Sequence, residues 1–174
     1  MSGVFTLDRA TLFGGSGWDR GAALSLLPNG AVLVAGATAS ADLPLANPIQ
    51  PAYGGGPSDA FLAQFTPDLS RLTASTYYGG SSDDEATTVT TDLLGNIFLA
   101  GWTSSSDFPV KNALQSQFGG GPDDGFLLHF DTDGSLHQAT YFGGSGSDRA
   151  LGLYAPGGLG GEHRHSLICH CHRH

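Results

Sequence analysis

Basic side chains are scarce in this chain: Lys and Arg together number 7 against 16 Asp and Glu, for a formal net charge of −9. A nucleic-acid partner needs clustered positive charge against the phosphates, so the count excludes that class, and an anionic membrane surface is disfavoured for the same reason. Charge of either sign is low, 13% against about a quarter in an average chain. No apolar run approaches the ~20 residues that span a bilayer as a helix, which argues against membrane insertion. The start, Met1-Ser2-Gly3-Val4-Phe5-Thr6, has no basic stretch leading into an apolar one, so no signal peptide is visible. That leaves a cytoplasmic protein or a piece of a longer one. Cysteine is absent until Cys169 and Cys171, so the body of the chain uses no disulfide staples.

Glycine is abundant instead, 27 of 174 residues, about twice the usual share. High glycine with few charges points to many short strands joined by tight turns, not to helices carrying Glu–Lys pairs. The glycines also mark an internal repeat. Thr11-Leu12-Phe13-Gly14-Gly15-Ser16 returns as Thr76-Tyr77-Tyr78-Gly79-Gly80-Ser81 and as Thr140-Tyr141-Phe142-Gly143-Gly144-Ser145, at offsets of 65 and 64 residues. Asp19, Gly30, Ala35-Gly36, Asp42 and Pro44 match Asp84, Gly95, Ala100-Gly101, Asp107 and Pro109. Gly54-Gly55-Gly56-Pro57 and Asp59-Ala60-Phe61-Leu62 match Gly119-Gly120-Gly121-Pro122 and Asp124-Gly125-Phe126-Leu127.

Each unit predicts four strands: 22–27, 31–37, 60–65 and a fourth running into Thr76-Tyr77-Tyr78, with 87–91, 97–101, 126–130 and the run into Thr140-Tyr141-Phe142 in the second copy. Pro28-Asn29-Gly30 and Leu94-Gly95-Asn96 are turn signals, and Phe61, Ala63 and Phe65 alternate with Leu62 and Gln64 at the period of a pleated strand. About twenty residues separate strands two and three, with room for a short helical turn near 112–118. The expected fold class is therefore all-β, built of tandem four-stranded antiparallel blades of a β-propeller; a sandwich would not repeat its side chains at this interval.

The combination Thr76-Tyr77-Tyr78-Gly79-Gly80-Ser81-Ser82-Asp83-Asp84-Glu85-Ala86, Asp92, Gly95-Asn96, Ala100-Gly101-Trp102-Thr103-Ser104, Asp107-Phe108-Pro109 and Gly119-Gly120-Gly121-Pro122-Asp123-Asp124-Gly125-Phe126 closely resembles the bacterial seven-bladed β-propeller repeat (SBBP) family, over residues 5 to about 156. The resemblance implies four-stranded blades in a secreted or cell-surface bacterial protein, and it implies no enzymatic activity. The phase of the repeat places the last strand of a preceding blade at 1–13, whole blades at 14–78 and 79–142, the start of a third at 143–156, whose first strand is expected over 150–155, and a non-repeat tail, expected to be disordered, at 157–174. Two blades cannot close a ring that needs about four to eight. The chain is then expected to be a fragment joined to further blades of a longer gene product, or else to self-associate.

Candidate chemistry is thin. Gly14-Gly15-Ser16-Gly17-Trp18-Asp19 and Gly143-Gly144-Ser145-Gly146-Ser147-Asp148 open like the calcium nonapeptide of a β-roll, but that motif must recur every nine residues. The expected role is an interblade turn, with the Asp accepting backbone N–H bonds. Asp131-Thr132-Asp133-Gly134-Ser135 lacks the remaining ligands of an EF-hand loop and reads as a hairpin turn. Gly54-Gly55-Gly56-Pro57 has no following Lys-Ser/Thr and reads as structural. Asp19, Asp59, Asp84, Asp124 and Asp148 recur once per unit, unlike an active site, which is built once. No Gly-x-Ser-x-Gly elbow is present, and His129 and His137, found in one unit each, read as surface or edge substitutions. No catalytic residue and no cofactor is expected. The tail concentrates five His and two Cys in twelve residues, and His163, His165, Cys169, His170, Cys171 and His172 are weak metal-ligand candidates.

The expected role is a non-enzymatic scaffold or interaction module, with an unknown protein or glycan as partner, contacted through a rigid, acidic surface whose long loops at about 38–58 and 103–123 are free to vary. The alternative is a lectin-like or calcium-assisted ligand-binding propeller using Tyr53, Trp102 and Phe118 with loop acids.

Overall fold

The computed structural model describes residues 7–155. Eight strands run in sequence: β1 (Asp19–Leu26), β2 (Val32–Thr38), β3 (Asp59–Phe65), β4 (Leu72–Tyr78), β5 (Asp84–Thr91), β6 (Ile97–Thr103), β7 (Asp124–Phe130) and β8 (Leu136–Phe142). They form two four-stranded antiparallel sheets in simple order, β1-β2-β3-β4 and β5-β6-β7-β8, and no helix occurs among the described residues. The fold is that of tandem β-propeller blades. β1, β3, β5 and β7 begin one to three residues before the expected runs, so that Asp19, Asp59, Asp84 and Asp124 each become the first residue of a strand.

The repeat extends to the pairing register. Thr38 faces Asp59 in the first sheet and Thr103 faces Asp124 in the second; Val32↔Phe65 recurs as Ile97↔Phe130. Both sheets also carry a bulge at the same place in the first hairpin, at Gly21/Ala23 and at Ala86/Thr88. Opposite it, a Cβ on Gly36 or Gly101 would sit 1.8 Å from the carbonyl oxygen of Arg20 or Glu85, so only glycine admits the bulged strand.

The blades pack through a shared core in which Leu33, Ala35 and Leu62 of the first sheet meet Val89, Ile97, Leu99, Phe126 and Leu128 of the second. At the inner strands Arg20 of β1 forms an ion pair with Glu85 of β5, and the Thr91 hydroxyl donates to the Leu26 carbonyl at 2.9 Å.

The long loops are packed down onto the sheets. Leu43 and Phe108 are buried; Phe108 lies 4.7 Å from the Phe126 ring and 5.2 Å from that of Tyr78. The helical turn expected near 112–118 is not formed. The loop directs its hydrogen bonds to the free edge of β8: Lys111 and Ala139 exchange backbone bonds at 3.0 and 2.8 Å, and Tyr141 N–H donates to Gln115 O at 3.2 Å. Bridges from Ala46 to Ser75 and from Gln50 to Tyr77 cap β4 in the same way, which protects both outer edges from further pairing.

Two predicted strands are missing. Residues 7–13 are irregular because no described strand lies beside them; Leu12 is 99% exposed, while Phe13 packs 5.6 Å from both Phe61 and Phe65. No strand is formed at 150–155, where a second strand to pair with is also lacking among the described residues. Ala150 is nonetheless buried against the second sheet, its N–H on Gly101 O at 3.2 Å and its carbonyl accepting from the Thr87 hydroxyl at 2.5 Å.

Because the loop is part of the core, Phe108→Ala should destabilise the protein by about 3–5 kcal/mol in urea unfolding. Leu114→Ala, six residues on and 87% exposed, should stay within about 0.5 kcal/mol of the parent.

Candidate functional site

The polar chemistry of the described chain is concentrated where one blade hands over to the next. In the first copy Gly15 N–H donates to Asp19 Oδ2 at 2.8 Å, Ser16 N–H to Asp42 Oδ1 at 2.8 Å, and Gly17 N–H to Ser40 Oγ at 2.8 Å. Thr38 and Ser40 hydroxyls donate back to Asp19 at 2.5 and 3.0 Å. The second copy repeats the set: Gly80 N–H to Asp84 Oδ2 at 2.7 Å, Ser81 N–H to Asp107 Oδ1 at 2.9 Å, Ser82 N–H to Ser105 Oγ at 2.8 Å, and Ser105 Oγ to Asp84 Oδ2 at 2.9 Å. Gly144 N–H on Asp148 Oδ2 at 2.7 Å begins a third. The Gly-Gly-x-x-x-Asp motif thus spends its carboxylate on its own turn, the role expected of it.

A second aspartate enters from the preceding blade. Asp59 Oδ2 accepts from Gly54 N–H at 2.7 Å and from Gln50 Nε2 at 3.2 Å, while Gln50 Oε1 accepts from Gly79 N–H at 3.1 Å. Asp124, Gly119, Gln115 and Gly143 repeat the arrangement. Asp59, Asp84 and Asp124 are fully buried. Burial, with Asp84 adding its charge, pushes the Asp59 carboxyl up to about 7; burial also raises Asp84, to about 6, against the hydrogen bonds it accepts, and raises Asp124. Asp42 and Asp107, at the exposed rim, are held below the ordinary carboxylate range by the N–H groups of Ser16 and Ser81.

The other candidates resolve as structure. Gly134 takes a φ of 83° in the hairpin where Asp131 N–H donates to Ser135 O at 2.9 Å, so the acidic loop 131–135 is a turn. The aromatic trio does not converge: Tyr53 braces Tyr77 at 5.9 Å, Phe118 braces Tyr141 at 6.0 Å in the other blade, and Trp102 lies beneath the Arg149 guanidinium at 4.1 Å. His129, expected at the surface or an edge, is half-buried on β7, which pairs on both sides. It stacks 4.5 Å from Phe98 and 4.7 Å from His137, whose Nδ1 is 3.2 Å from Asp131. Among the described residues no group of three His, Cys, Asp or Glu side chains is arranged to hold a metal. The tail candidates His163, His165, Cys169, His170, Cys171 and His172 lie outside the described residues.

Two parts of the junction were missed in the sequence. Thr38, Ser40 and Gln50 recur as Thr103, Ser105 and Gln115 at the 65-residue offset, and that identity was the available signal. The bidentate pair of Arg149 with Asp123, at 2.6 and 3.1 Å, has no repeated counterpart to reveal it.

Residues 75–109, which run from the end of β4 through the glycine turn, β5 and β6 to Phe108 and Pro109, match the family model of the SBBP beta-propeller repeat. This segment is similar to an SBBP beta-propeller repeat. Comparison with curated proteins finds no match. The SBBP match contains Gly79, Gly80, Ser81, Asp84, Thr103, Ser105 and Asp107, so it coincides with the second copy of the junction network.

Tyrosines tie this network to the loop. Tyr77 Oη donates to Ser40 O at 2.7 Å and accepts from Leu43 N–H at 2.9 Å; Tyr141 Oη donates to Ser105 O at 2.8 Å. Tyr77→Phe and Tyr141→Phe should each cost about 1–2 kcal/mol in urea unfolding, and the double variant should show the sum, since the two networks share no partner.

Proposed function

We propose that this chain is a non-enzymatic scaffold or interaction segment of a secreted or cell-surface bacterial protein, presenting a varied surface on a fixed frame. The observation that carries the reading is the contrast within the two long loops. Their anchoring residues are the same in both blades: Ser40 and Ser105, Asp42 and Asp107, Gln50 and Gln115, Gly54 and Gly119. Exposed positions between the anchors differ, Pro51 against Ser116 and Ala52 against Gln117, beside the exposed apolar pair Ile49 and Leu114. A surface that changes from blade to blade while its supports do not is suited to contacting another molecule. The polar groups that a catalyst would use are engaged, blade after blade, in the same turns, which supports a binding role over a chemical one. The partner class is a protein or a glycan; an acidic surface with few lysines and arginines disfavours nucleic acid.

The test is binding of the immobilised chain to a glycan array and to the surface-protein fraction of its host. Substituting Ile49, Val110 and Leu114 by Ser, three exposed loop residues, should weaken the captured interaction by at least about tenfold, or about 1.4 kcal/mol, with an unchanged unfolding midpoint. Retention of full binding by that variant would show that the loops are not the contact surface.

A further inference from the structure

We propose that each blade junction binds one proton between its two buried aspartates, Asp59 with Asp84 and Asp124 with Asp148, and that this shared proton holds neighbouring blades together. At the first junction a Cβ on Gly79 would lie 2.7 Å from Asp84 Oδ2 and 3.1 Å from Asp59 Oδ1; at the second, a Cβ on Gly143 would lie 2.6 Å from Asp124 Oδ1 and 3.0 Å from Asp148 Oδ2. The glycine is therefore flanked by one carboxylate from each blade, twice over. Asp59 Oδ1 and Asp124 Oδ1, the oxygens of those two acids nearest the glycine's Cβ position, are buried with no hydrogen-bond partner among the described residues, as is Asp84 Oδ1. An ionised pair in that position would leave a lone pair unsatisfied and two like charges adjacent. A proton on Asp59 Oδ1 or Asp124 Oδ1 answers both faults, because the carboxyl becomes a donor facing the neighbouring carboxylate.

Among the described residues, no cation is paired with these aspartates. Asp83, Tyr53, Tyr77 and Tyr141 are the titratable groups whose fields reach Asp59 and Asp84, and all carry negative charge when ionised. Asp123 and Asp148 flank Asp124. The nearby arginines are engaged elsewhere, Arg20 with Glu85 and Arg149 with Asp123. Two carboxylates without a third acidic or imidazole ligand make a poor cation site, so the occupant the geometry favours is the proton.

The sign of the effect follows from where the proton goes. Burial raises Asp59, Asp84 and Asp124 above their ordinary range, so folding takes up protons. Stability is then greatest near the ordinary carboxylate range and is lost as pH rises through the raised values. The acids held low, Asp42, Asp68, Asp92, Asp107, Asp123 and Asp133, lose their contribution only below the ordinary range, outside this window.

The experiment is urea unfolding of the full chain between about pH 5 and about pH 8, for the parent, Asp59→Asn and Asp59→Asn/Asp124→Asn. In the parent the folding constant should fall with pH, at its steepest about tenfold per pH unit for each proton released. An Asn amide can donate where the carboxyl does, so the single variant should flatten the profile and the double variant flatten it further. An unchanged slope in the double variant overturns the proposal. Should the variants fail to fold, carbon-13 spectra of the parent labelled at aspartate carboxyls decide: resonances titrating above about pH 5.5 are expected, and completion of every titration below about pH 5 refutes it. Millimolar calcium chloride at about pH 8 is the second arm. A rise in unfolding midpoint in the parent that is absent from the double variant would identify a cation in place of the proton and overturn the proposal.

Discussion

A buried carboxylate accepting the N–H groups of a glycine turn is the interaction on which the blades depend. Asp84 receives Gly80 N–H and the Ser105 hydroxyl; Ser105 in turn takes Ser82 N–H, and its carbonyl receives the Tyr141 hydroxyl. Through these few bonds the start of the inner strand, the end of the second strand, the long loop and the outer strand are fixed to one another. A turn rich in glycine exposes many backbone donors and has no side chains of its own to cover them. An acid placed at the first residue of the next strand supplies the missing acceptors at the cost of its own hydration, and that cost appears as the raised proton affinity of Asp59 and Asp84.

The loops show how a small blade completes its core. A four-stranded sheet has two faces and one outer edge to cover. The segment between the second and third strands does both, inserting Leu43 or Phe108 onto a face and bridging its backbone to β4 or β8. This is why a stretch of about twenty residues with no regular structure remains ordered: its ends are held by Asp42 or Asp107 and by Gly54 or Gly119, and its middle is bonded to the sheet.

The strands, their antiparallel order and the repeat were legible because each rests on local signals: Asn29-Gly30 and Gly95-Asn96 at the turns, alternation in residues 60–65, and identity at the 65-residue offset. Strand ends were not, since polar Asp59 and Asp124 contribute to the ladder yet look like loop residues by composition. The irregularity of 7–13 and 150–155 is a matter of missing partners. A strand is defined by pairing, and pattern alone cannot show whether a neighbour is present. The packing of the loops was not legible for a related reason, because Leu43 and Phe108 sit among Pro, Asp and Ser, and only the tertiary fold shows that they face inward. The aspartate pairs were visible as repeated acids, but their closeness across Gly79 arises from residues 25 apart meeting at a junction.

The Arg20–Glu85 pair joins two residues that occupy the same position in successive repeats. Side-by-side packing of copies brings like position against like, so a perfectly duplicated repeat would set identical charges against each other at this point. Opposite charges at neighbouring copies remove that conflict, and position 149, the third occurrence, is again Arg. Such alternation has a parity. It can run unbroken around a closed ring only when the number of copies is even; a ring with an odd count must contain one seam where two like charges meet or where the position has given up its charge.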